Sequence, residues 1–217
     1  MEKSMSQPAS RRSQAERSNE TRQRLNEATL DLLCEVGYER ISTQLIAERA
    51  QVSRGAQTHH FPTKNDLLVG AMQQLLRAWT KELQAFVQIM SASSGPETYI
   101  RHLWQTVFSQ PRYIAVLELM LAARGDPTLR IALQAELADW TAVRDAVFHE
   151  TVGAKLGEGG STLFLQLNLC MLRGMAVHAS FNQDNAVNDR LLEAWIAMAI
   201  REFKELRYNE GKPGALA

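Results

Sequence analysis

From Asn19 onward, apolar residues return every three or four positions, and no stretch alternates apolar and polar over the length of a strand. That periodicity leaves an all-α fold. Leu25, Ala28, Leu32 and Val36 mark a first helix, which Gly37 ends. Ser42 is placed to cap a short second helix reaching Ala50. Ser53 is placed to cap a third, running to about Phe61, where Pro62 stops it. Thr63 with Asp66 three residues later is a capping-box pattern that opens a fourth. Helices are expected at about 64–92, 96–109, 111–124, 127–153, 160–181 and 185–208, parted by SASSGP, SQP, RGDP, GAKLGEGG and FNQDN.

The chain's 217 residues, 45% of them hydrophobic, suffice for a sizeable core in one or two domains. Residues 1–17 are polar and rich in Ser, Gln and Arg, and read as a flexible arm whose Arg11, Arg12 and Arg17 either hang free or meet DNA. Cys34 and Cys170 lie far apart inside helical segments, which argues against a disulfide scaffold. No apolar leader and no run of membrane-spanning length occurs, so a cytoplasmic protein with no membrane partner is expected. The formal net charge is zero, with 10 Lys+Arg against 8 Asp+Glu in residues 1–64 and 14 against 16 beyond them.

Catalytic and metal chemistry find little footing. His59 and His60 are adjacent, about 100° apart on a helix, and do not chelate one ion together. The glycines of GEGGST follow no strand, and no G-x-S-x-G elbow is present. No metal, no cofactor and no catalytic residue is expected.

The stretch SRGAQTHHF at 53–61 needs another explanation. Two short helices joined by the turn QVS, behind a longer helix, are the parts of a helix-turn-helix, here 42–61. In that design the second short helix enters the major groove, where base edges and phosphates reward polar and cationic side chains. The sequence STQLIAERAQVSRGAQTHHFPTKNDLL then resembles the DNA-binding signature of the TetR family of transcriptional regulators. The matching positions are Ser42, Ile46, Ala47, Ala50, Val52, Ser53, Gly55, His60, Phe61, Pro62, Lys64 and Leu67. The upstream RQRLNEATLDLLCEVGYERIS resembles the family's first helix and link, and the resemblance covers roughly 18–78.

The resemblance implies a homodimer with a DNA-binding domain at 18–78 and a helical ligand-binding and dimerisation domain at 79–217. It implies repression of a pseudo-palindromic double-stranded operator, relieved by a small-molecule effector. Carried over position by position, it puts Arg54, Gly55, Ala56 and His59 at bases and Thr58, His60 and Lys64 at phosphates. It puts Thr43 and Gln44 near the DNA backbone. The residues agree. Arg54 can fork to a guanine, and the helix starts capped by Ser42, Ser53 and Thr63 offer N–H groups to phosphate. The chain departs from the family pattern in three places. Gln51 stands where a left-handed glycine is usual, and Thr58 where a tyrosine is usual. Gln57 stands where a leucine is usual; it shares a stripe with Phe61 and leans inward, an amide in need of a partner.

For the second domain, the candidate pocket lining is Trp79, Leu83, Phe86, Leu103, Trp104, Val107, Tyr113, Leu117, Leu121, Trp140, Asn168 and Met171, or else these residues are plain core. Asn168 and Arg173 interrupt an apolar segment and either anchor a ligand or face solvent or a partner. Two stripes are candidates for a dimer bundle: Leu165, Leu169, Leu172, Ala176 and Ala179, and Leu192, Trp195, Ile196, Ala199 and Phe203. The other reading of both is closure of the monomer core. An all-helical enzyme or small-molecule binding protein with a head that only resembles a helix-turn-helix is the alternative function.

Overall fold

The computed structural model describes residues 13–90, 95–182 and 184–210. Arg11 and Arg12 of the expected arm lie outside them. The described residues form nine α-helices and no strand. Helix α1 spans Gln14–Arg40, α2 Thr43–Arg49, α3 Arg54–His60 and α4 Lys64–Ile89. Helices α5 Pro96–Leu103, α6 Pro111–Ala122, α7 Pro127–Thr151, α8 Gly157–Phe181 and α9 Asn185–Glu210 follow among the described residues.

The first helix starts earlier than its apolar pattern. Ser13 accepts from the Glu16 amide at 3.2 Å, and Glu16 accepts from the Ser13 amide at 2.6 Å. This reciprocal cap satisfies orphan donors without any burial. The stretch from Gln14 to Arg17, expected in the flexible arm, is therefore helical. At the other end Gly37, at φ 76°, breaks the helical path as expected of a glycine stop. Glu118 sits against it, and a Cβ at Gly37 would lie 3.1 Å from that carboxylate.

Two later boundaries also differ. The expected 96–109 helix leaves α-geometry at Trp104 and runs as a π-helical turn to Phe108, where the Ser109 amide donates to the Trp104 carbonyl at 2.9 Å. The GAKLGEGG break is shorter than expected: a 3₁₀ turn, Gly153–Lys155, leads directly to α8. There Ser161 Oγ stands 2.7 Å from His149 Nδ1, and a Cβ on Gly153 would meet that hydroxyl at 2.3 Å. The glycine thus permits the close turn that joins α7 to α8.

For description, α1 to α4 are termed the head and α5 to α9 the body; α4 packs on α1 and along α7. Helix α6 packs on α1. Arg112 of α6 reaches Glu27 at 2.6 Å and Asp31 at 3.3 Å, and the Tyr38 amide donates to Glu118 at 3.0 Å. Asn65 at the start of α4 donates to Asp126, the cap of α7, at 2.9 Å. Gln73 of α4 also donates to Glu136 of α7 at 2.6 Å, so polar contacts join head and body along both α6 and α7. No helix among the described residues is long and apolar enough to cross a membrane.

Candidate nucleic-acid interface

The head is built around a tightly closed turn. Ser42 caps α2 through the Leu45 amide and Ser53 caps α3 through the Ala56 amide, both at 3.2 Å, as expected. Between them, Val52 N–H donates to the Ala47 carbonyl and Gln51 N–H to the Glu48 carbonyl, each at 3.0 Å. That pattern is a Schellman stop, and it sets Gln51 in the left-handed region at φ 53°. Arg24 of α1 then donates to the carbonyls of Ala50 and of Gln51, the latter at 2.6 Å. Periodicity gave no sign of this latch, because Arg24 sits outside the apolar stripe. We expect Gln51→Gly to raise stability by up to ~1 kcal/mol, by relieving the left-handed strain. Urea unfolding would show an unchanged or lower midpoint if the latch had already offset that strain.

Helix α3 presents two unlike sides. Arg54, Gly55, Thr58 and His59 are exposed, and Ser42, Gln44 and Ser53 lie exposed beside them. Thr43, Ala56 and His60 are half-buried. A Cβ at Gly55 would meet nothing within 4 Å, so the space beside this position is open. On the inner side Gln57 is buried, as its spacing predicts, and its missing partner is the Phe61 carbonyl, which accepts from Nε2 at 2.6 Å. The amide thus tightens the C-terminal end of α3, where a carbonyl would otherwise be left bare.

Phe61 anchors the same end. Its ring is buried against Gly70 of α4, where a Cβ would lie 2.6 Å from ring carbon Cε1. Gly70 is therefore needed for the recognition helix to sit close to α4, a role that its neighbours in sequence do not reveal. The Arg22 guanidinium lies over the ring, 5.9 Å from its centroid.

Two of the expected backbone contacts, Lys64 and Gln44, are also tied within the chain. Lys64 Nζ donates to the Tyr38 carbonyl at 3.0 Å and lies 4.3 Å from that residue's ring centroid, and burial lowers its pKa. An ammonium has three donors, so this tether leaves it able to bond a second acceptor. Burial and the nearby Arg22 lower the pKa of His60, which favours its neutral form. Gln44 donates to Glu48 at 2.9 Å.

The body redistributes the other candidates. Trp79, Leu83, Phe86, Leu103, Trp104, Val107, Tyr113 and Trp140 are buried together, but Leu121 and Met171 are 55% and 39% exposed. Those two are corrected from pocket lining to surface: α6 turns Tyr113, Val116 and Leu119 inward and Leu121 away. Leu117 is half-buried, and Asn168 is buried and accepts from the indole N–H of Trp195 at 2.9 Å.

The expected dimer stripes need correction as well. Leu165, Leu169, Leu172 and Ala176 on α8, and Leu192, Ile196, Ala199 and Phe203 on α9, are at most 6% exposed within one chain. Trp195 and Ala179 are half-buried. The eight buried residues close the monomer core and are not free to meet a second copy, while Trp195 and Ala179 keep part of their surface exposed. On the opposite side of α8, Leu163, Leu167, Cys170, Gly174, Val177 and Phe181 recur at steps of three and four, all exposed. Leu191 and Met198 of α9 are exposed too.

Two capped short helices around a left-handed turn, with a polar outer face on the second, define a helix-turn-helix DNA-binding regulator. The family model described as "Bacterial regulatory proteins, tetR family" matches residues 25–71. The HTH-type transcriptional regulator CymR of Pseudomonas putida is 28% identical over 198 residues, covering 91% of this chain and 98% of its own. The HTH-type regulator Mb2936c of Mycobacterium bovis is 34% identical over 140 residues, covering 62% of this chain and 70% of its own. A regulator from Saccharomonospora viridis, solved with choline, shares the fold at a TM-score of 0.67 and 17% identity, over 84% of this chain and 96% of its own. This chain belongs to the TetR family of transcriptional regulators.

Proposed function

We propose that this regulator is a homodimeric repressor, whose two heads read the halves of a pseudo-palindromic operator and release it when a small molecule enters the body. The observation that carries the reading is α3, polar and open outside while Gln57 and Phe61 hold it inside. Arg54, Gly55, Ala56 and His59 are assigned to base edges. Ser42, Thr43, Gln44, Ser53, Thr58, His60 and Lys64 are assigned to the DNA backbone. Residues 18–78 then act as the reading head and 79–217 as the sensing and pairing body, with α4 as the lever between them.

The outward stripe of α8, with Leu191 and Met198 of α9, supports pairing of two copies about a two-fold axis. The choline complex of the Saccharomonospora viridis regulator supports a body of this shape admitting a small molecule. The test is selection from a random duplex library. The expected product is a two-fold symmetric sequence whose half-site centres lie about one helical turn, or a multiple of it, apart. Its affinity should fall steeply with salt. Retention of no sequence above bulk DNA at any salt, or of an asymmetric single site, would overturn the reading.

A further inference from the structure

Helices α1 and α4 line one groove of the head with two polar stripes. On α1, Asn19, Arg22, Gln23 and Asn26 follow steps of three and four. On α4, Gly70, Gln73, Gln74 and Arg77 repeat the same steps. These residues and Phe61 enclose about 450 Å³, a size typical of small-molecule sites. The lining carries two guanidiniums and no carboxylate. Arg22 and Arg77 are both exposed, and neither has an ion pair among the described residues.

The same lining holds a buried acceptor without a partner. Asn26 is 9% exposed, and its Oδ1 makes no hydrogen bond. A relay fixes which atom is left over. The Glu27 carboxylate can only accept, so it takes a hydrogen from Gln74 Nε2. That turns Gln74 Oε1 to Asn26 Nδ2, which donates to it at 3.1 Å. Asn26 Oδ1 is left beside Gly70, 3.1 Å from where a Cβ would stand, and both residues border the groove. The charge of Glu27 is itself paired by Arg112 at 2.6 Å. A buried acceptor left bare is costly, and a donor brought by a ligand would remove that cost.

We infer that this groove is a site for a small sugar or polyol phosphate, its phosphate taken by Arg22 and Arg77 and one hydroxyl donating to Asn26 Oδ1. A phosphate monoester carries close to two negative charges at neutral pH, which suits two guanidiniums. The phosphodiester of a DNA backbone carries one charge and donates no hydrogen, so it would leave Oδ1 bare. The amides of Asn19, Gln23 and Gln73 can both donate and accept, as ligand hydroxyls do. Every lining residue belongs to α1, to α4 or to Phe61, so the site lies in the head and does not rest on the effector reading above. Phe61, which seats the recognition helix, forms one of its walls.

The test is calorimetric titration of the full chain with glucose-6-phosphate, α-glycerophosphate, ethyl phosphate and glucose. Ethyl phosphate has the charge without the hydroxyls, and glucose the hydroxyls without the charge. At least one of the first two should bind about tenfold or more tighter than either control. Arg22→Gln and Arg77→Gln change exposed side chains. Each should weaken that ligand by about tenfold or more, with helical content unchanged by circular dichroism. Ethyl phosphate bound as tightly as the polyol phosphates would overturn the hydroxyl contact and the ligand class with it. Polyol phosphate binding unchanged in both variants would overturn the site. No binding of either polyol phosphate at about 10 mM would also overturn it. A loss of non-specific duplex binding in both variants would then give the groove to the DNA backbone.

Discussion

Leu167→Glu should turn the protein into a folded monomer that no longer holds its operator. Leu167 is 51% exposed at the middle of the outward stripe of α8, between Leu163 and Met171. In a two-fold pair each substitution is present twice. At ~3 kcal/mol for each carboxylate buried without a partner, the pair loses ~6 kcal/mol, roughly a 10⁴-fold rise in dissociation constant. Helical content should be unchanged, because the side chain is half exposed and lies outside the buried core. Leu169→Glu, two residues along, should instead unfold the body, since Leu169 is fully buried. Light scattering coupled to gel filtration separates the two outcomes. A Leu167→Glu variant that still runs as a dimer would refute the pairing face.

Arg54→Ala should weaken operator binding on the order of 10³-fold and relax the preference at one base position per half-site. The estimate takes ~1–3 kcal/mol for each forked guanine contact, counted once in each head. Arg54 is exposed on the first turn of α3 and has no ion pair or hydrogen bond among the described residues, so its removal should leave stability untouched. Anisotropy titrations against an array of operators with single base changes read both effects. A uniform loss across all bases would reassign Arg54 to phosphate, and no loss would remove α3 from the groove.

Much of the head was legible because its signals are local. Ser42, Ser53 and the Thr63–Asp66 pair cap the helices that their spacing predicts, and Gln51 takes the left-handed conformation that its place in the turn demands. Each depends on backbone geometry within four or five residues. Gln57 was legible in direction only: periodicity turned it inward, while its partner, the Phe61 carbonyl, depends on how α3 ends. Gly70 and Arg24 were not legible, since one answers to a ring nine residues away and the other to carbonyls of the turn after α2.

The sequence by itself determined an all-helical chain with a helix-turn-helix head, because caps, stops and the 3.6-residue period are written in neighbouring residues. Only the tertiary structure decided which side of α8 faces the core. That helix is apolar on opposite sides, Leu165, Leu169 and Leu172 on one and Leu163, Leu167 and Phe181 on the other. A stripe's period reports that a helix is amphipathic only when its other face is polar. With both faces greasy, the choice falls to how α6, α7 and α9 pack around the helix, and that is a property of the whole body.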